Sequence, residues 1–108
     1  MKLIEMVEHL KSVEKAESLI ATEIPDVDFG YVDIYLKDEL NINSEVVFFD
    51  VDTIPNNLEI DVDGIHYINL FPLPMAQEMI QEYWNSSNQK LKNTELAQRI
   101  LQYRITDA

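Results

Sequence analysis

Asp63-Gly64, set between LEIDV (58–62) and IHYINL (65–70), constrains this chain more than any other feature. A two-residue type I′ turn needs positive φ at both central positions, and Asp-Gly is one of the few pairs that accept it. The spacing therefore predicts a tight antiparallel hairpin. Upstream, Val32, Ile34 and Leu36 alternate with Tyr31, Asp33, Tyr35 and Lys37, the period of a strand with one wet face. Val46 to Val51 is apolar on both pleat faces as far as Asp50, which predicts a central strand.

Helical periods flank this block. Leu3, Met6, Val7, Leu10, Val13, Ala16 and Ile20 describe an amphipathic helix over 2–22, with Ser12 a point where it could split and Pro25 a stop. After Phe71-Pro72-Leu73, Pro74 suits the first position of a helix whose apolar stripe is Met75, Ala76, Met79, Ile80 and Tyr83, with Gln77, Glu78, Gln81 and Glu82 facing away. It is predicted to stop near Trp84. A polar connector, 85–89, precedes a last helix capped by Asn93 or Thr94 and burying Leu96, Ala97, Ile100 and Leu101. Strands grouped in sequence with helices at both ends indicate an α+β fold of one domain, 1–108. The predicted architecture is a four-stranded antiparallel sheet with an N-terminal helix and two C-terminal helices, α-β-β-β-β-α-α, the helices mainly on one face.

With 46% hydrophobic and 26% charged residues the chain should fold around a core. It has no cysteine, which excludes disulfides and thiolate chemistry and permits a reducing compartment. Glu5, Glu8, His9 and Lys11 interrupt the first apolar positions, so no secretory leader is expected, and no stretch approaches the roughly 20 apolar residues of a membrane span. The expected location is the cytoplasm.

Charge narrows the partner class. Between Lys15 and Lys90 stand fifteen acidic residues and one basic residue, Lys37, so most of the net charge of −12 lies in the middle of the chain. Such a surface repels nucleic acid and anionic membranes and attracts basic proteins. The blander alternative is that the acids only keep a small domain soluble.

Catalytic and metal motifs are incomplete. Residues 46–54, VVFFDVDTI, resemble the first motif of haloacid-dehalogenase-like phosphatases, with Thr53 where that family has Gly. The resemblance implies Asp50 as nucleophile, Asp52 as general acid, a magnesium ion and an alternating α/β fold. The later acidic cluster it requires has only Glu78, Glu82, Glu95 and Asp107 to draw on. Glu59, Asp61, Asp63 and Gly64 follow the start of a calcium loop, but its closing twelfth position is Leu70. His9 and His66 have no zinc-ligand spacing. Two glycines cannot build a phosphate loop, and no G-x-S-x-G surrounds a serine. No cofactor, no metal and no enzymatic activity are expected.

Strand alternation puts Asp33, Tyr35, Glu59, Asp61 and His66 on one face if Ile60, Val62, Ile65 and Tyr67 point to the core. Phe48 and Asp50 join them if Val47, Phe49 and Val51 turn inward. In that register Asp61 sits opposite His66. The candidate partner-binding residues are thus Asp33, Tyr35, Phe48, Asp50, Asp52, Glu59, Asp61 and Asp63. The expectation is a binder, and inhibitor, of a basic protein such as a nuclease or another nucleic-acid-handling enzyme, with carboxylates standing in for phosphates. In size, acidity and lack of cysteine the chain is similar to immunity proteins that neutralise toxins and to phage proteins that block nucleases, a likeness of class only. A self-associating module using Tyr83, Trp84 and the cationic last helix, hence a homo-oligomer, is the alternative, and the phosphatase-like enzyme centred on Asp50 is the third.

Overall fold

The computed structural model describes residues 1–107. Its elements run α1 (Leu3–His9), α2 (Val13–Glu23), β1 (Val32–Lys37), β2 (Val46–Asp50), β3 (Glu59–Val62), β4 (Ile65–Pro72), α3 (Leu73–Ser86) and α4 (Asn93–Asp107). Four antiparallel strands in the order β2-β1-β4-β3 form one sheet, with helices packed on the side of Val32, Ile34 and Leu36. The α-β-β-β-β-α-α arrangement read from the sequence is the one observed. Among the described residues no helix is long and apolar enough to cross a membrane.

The first helical period is two helices. Ser12 breaks it because its hydroxyl accepts the Lys15 backbone N–H at 3.2 Å, an N-cap that competes with continuing the helix. Breaking there orphans the Leu10 carbonyl, and Gln77, expected on the wet face of α3, is instead buried and donates to it at 3.2 Å. A buried polar side chain is tolerated when it is so bonded. Leu3, Met6, Val7, Leu10, Ile34, Leu36, Leu73, Ile80, Leu96 and Ile100 join in one core between helices and sheet.

β2 is an edge strand, against the prediction that it is central. Its two apolar faces have different causes: Val46 and Phe48 pack toward the helices, whereas Phe49 meets Tyr35 on the other side at 5.4 Å. The outer edge is partly covered where Val46 N–H donates to Met1 O at 2.8 Å and Lys2 bridges Glu45.

The hairpin turn is as expected, with Asp63 at φ 53° and Gly64 at φ 81°. A side chain at Gly64 would meet no neighbour but would be held in the left-handed region. Gly64→Ala should therefore lose about 1–2 kcal/mol in urea denaturation. Gly30→Ala, equally open but with no positive φ, should stay within about 0.5 kcal/mol of the parent.

Candidate functional site: carboxylates at two ends of the sheet

Pairing decides which side chains share a face. Leu36 opposes Ile68, and Ile68 opposes Glu59, so Glu59 lies on the helix side of the sheet. Asp61 and His66, directly opposed two positions along, lie there too. Asp33 and Tyr35 occupy the other side, with Phe49 and Tyr67. Phe48 opposes Ile34 and packs against the core, and Asp50 opposes Val32 on that same side. The single acidic and aromatic face expected from alternation is therefore not formed.

Phe48 and Asp50 are placed by the pairing of β2 with β1, whereas for the hairpin a β-bulge is the reason. Ile34 opposes Phe71 but Tyr35 opposes Asn69, leaving Leu70 as one extra residue in β4. Unbroken alternation would have put Tyr67 and Ile65 on the core side with Phe71. The bulge sends Leu70 and Phe71 into the core and leaves Tyr67, Ile65, Ile60 and Val62 on the opposite side.

That side carries its own apolar layer. Tyr35 and Ile60 are buried there yet stand outside the main core, and the Tyr35, Phe49 and Tyr67 rings meet edge-on at 5.4 Å. The β2–β3 connection folds back over it: Tyr35 Oη donates to Asn57 O at 3.1 Å, and Asn69 N–H to Leu58 O at 2.8 Å. Between connection and sheet lies a pocket of about 170 Å³ holding Asp33, Tyr35, Asn57, Asn69 and Pro72. Burial raises the Asp33 carboxyl above the usual carboxylate range. Burial also raises the Tyr35 hydroxyl, opposed by a hydrogen bond with Asn69 and assisted by the Asp33 charge. The sequence reading singled out Asp33 and Tyr35 but missed Asn57 and Asn69, whose only signal is a run of polar amides around the hairpin.

At the opposite end, His66 sits between two carboxylates, with Glu59 Oε1 2.8 Å from Nε2 and Asp61 Oδ1 3.1 Å from Nδ1. A protonated ring donates to both. Asp38, at φ 66°, donates its backbone N–H to His66 O and so joins this end, as does the exposed turn residue Asp63.

Asp50 and Asp52 have a local role. The Asp50 carboxylate accepts the Asp52 backbone N–H at 3.0 Å, and Thr53 Oγ1 donates to Asp50 O at 2.8 Å, closing the short turn 51–53. Asp50 ends, and Asp52 follows, an edge strand of an antiparallel sheet, not a strand of the alternating α/β sheet that the phosphatase resemblance implies. Among the described residues no group of three or more His, Asp or Glu could hold a metal ion. Trp84 is half-buried against the core, with Lys11 Nζ 3.9 Å from its ring centroid.

Compensation of the acids is sparse. Of the fifteen between Lys15 and Lys90, none pairs with a lysine or arginine. Glu45 meets the N-terminal ammonium at 3.1 Å, and Glu59 and Asp61 share His66. Among the described residues Lys90, Lys92, Arg99 and Arg104 pair with no carboxylate, and Arg104 Nε donates instead to Asn69 O at 2.9 Å. No protein-family model, curated protein or solved structure matches the chain.

His66 gives a pH signature. The hydrogen bond to Glu59, then that to Asp61, raises its pKa above 6.5. A raised folded-state value means a stabilising contribution complete below the unfolded pKa and lost as pH climbs through the folded one. The stability difference between parent and His66→Gln should thus be full below the ring's ordinary pKa of 6.5 while Glu59 and Asp61 remain ionised, and fall away as pH rises through the raised folded-state value. In an NMR titration of the ring, Glu59→Gln should lower the His66 pKa more than Asp61→Asn.

Proposed function

We propose that this protein is a non-enzymatic cytoplasmic binder of a basic protein, and that binding inhibits the partner by occupying a groove built for nucleic acid. The observation that carries the reading is that, among the described residues, no lysine or arginine pairs with any of the fifteen central acids, of which all but Asp33 and Asp50 are exposed. Solubility in a small domain calls for a net charge of magnitude about 2–8 with signs interspersed. A charge of −12 with acids left unpaired exceeds that and destabilises the compact state by self-repulsion. Arginine and lysine from a partner would supply the missing cations through charge-assisted bonds.

The exposed ends, Glu59, Asp61 and Asp63 with Asp38 at one and Asp52 at the other, steer and orient the partner. Tyr35 and Phe48 are withdrawn from the contact, since one is covered by the β2–β3 connection and the other packs toward the core.

Immobilised protein should capture a basic protein from its own cell and hold it less tightly as ionic strength rises from low to physiological and beyond, because exposed charges are screened beyond about 8–10 Å. A DNA duplex should displace the same partner. Glu59→Lys with Asp61→Lys should fold, by circular dichroism, and lose most of the capture. Capture indifferent to salt and to the double reversal would overturn the reading.

A further inference from the structure

The geometry points to an arginine-accepting pocket between β1 and the β2–β3 connection, in which Asp33 receives a guanidinium group. It rests on the proposed function only for the source of that group, a side chain of the basic partner.

The pocket is built by two neighbouring cross-strand pairs and a lid. Tyr35 opposes Asn69 and Asp33 opposes Pro72, while Asn57 and Leu58 come over from the connection. One charged group in the pocket is left unmatched. The Tyr35 hydroxyl proton is committed to Asn57 O, Asn69 N–H to Leu58 O, and Pro72 has no N–H. Asp33 is half-buried, and among the described residues its carboxylate meets no hydrogen-bond donor and no cation. A carboxylate partly stripped of water with no donor facing it is an incomplete arrangement, and a cation completes it.

The walls select among cations. An ammonium is a compact, strongly hydrated charge that gives up much solvation on entering a cavity of about 170 Å³. A guanidinium is planar, less hydrated and carries five donors, two for Asp33 and the rest for the amide oxygens lining the cavity. Pro72 and Leu58 offer apolar surface to its methylene stem. The larger groove beside α1 and α2 lacks this vacancy, because its half-buried acid, Glu8, is already held by Lys11 and Lys15 at 3.1 Å each, and its other acid, Glu14, is exposed to water.

The test uses small probes on the intact protein: Nα-acetyl-arginine methylamide, its lysine counterpart and its neutral citrulline counterpart, followed by backbone and carboxyl NMR. The arginine probe should shift resonances of Asp33, Tyr35, Asn57 and Asn69 and lower the Asp33 titration midpoint. It should bind about tenfold more tightly than the citrulline probe, the difference a charged hydrogen bond makes, and more tightly than the lysine probe. Asp33→Asn should lose the response, and Asp61→Asn should keep it. An equal response to citrulline or lysine, shifts spread over all surface acids, or a response surviving Asp33→Asn would overturn the proposal. The comparison of probes on unmutated protein decides it even where a variant folds poorly. Failure here with salt-sensitive capture intact removes the pocket alone, whereas an intact pocket without capture removes the partner reading.

Discussion

At Leu70, β4 holds one residue more than the stretch of β1 opposite it, and the insertion reverses the relation between sequence parity and sheet face along the strand. Beyond it, Leu70 and Phe71 both reach the helix side, joining the wall on which Leu73, Ile80, Leu96 and Ile100 pack. Phe71 meets Tyr103 of α4 at 5.8 Å, and Arg104 bonds the Asn69 carbonyl beside the bulge, so the last helix docks where the ladder is irregular. Before it, Tyr67 and Ile65 are left to the opposite side, where they need cover. The folded-back β2–β3 connection gives part of that cover and in doing so shapes the Asp33 pocket.

Electrostatics follows from the same irregularity. Instead of one anionic plateau, the sheet carries acids at two ends, around His66 and around Asp33 and Asp52. β1 has six residues and so spans roughly 20 Å, about twice the distance over which salt screens exposed charge at physiological strength. The ends therefore repel one another weakly. Separation of this kind reduces the self-repulsion that a single cluster of the same charge would impose, while His66 relieves the crowding of Glu59 and Asp61 at one end.

Local chemistry was legible in the sequence and long-range geometry was not. Asp63-Gly64 and the helical periods each encode their conformation within a few residues, and Asp61 facing His66 follows directly from the turn. Ser12 carried its cap signal, though the burial of Gln77 that follows from it depends on a carbonyl sixty-seven positions away. The bulge has no signature of composition, since Asn69-Leu70-Phe71-Pro72 contains no glycine. Taking Ile60, Val62, Ile65 and Tyr67 as core-facing turned the hairpin over and merged two groups of acids that lie on different faces. β2 was misplaced for a related reason: apolar residues on both faces mark burial on two sides, which an edge strand also reaches when each side is separately covered.

How the acids divide the work of recognition follows from their exposure. Carboxylates in water contribute little each, and salt weakens what they contribute, so Asp38, Asp52, Glu59, Asp61 and Asp63 suit attraction and orientation more than discrimination. Discrimination requires a group that is desolvated in the complex and costly to leave unpaired. Of the fifteen central acids only Asp33 and Asp50 are already half-buried. Asp50 spends its carboxylate on the Asp52 N–H of its own turn. Asp33 alone combines partial burial with a carboxylate that meets no donor among the described residues, so in the proposed complex specificity for one basic partner over others would fall on the small pocket behind the connection and not on the charged rim.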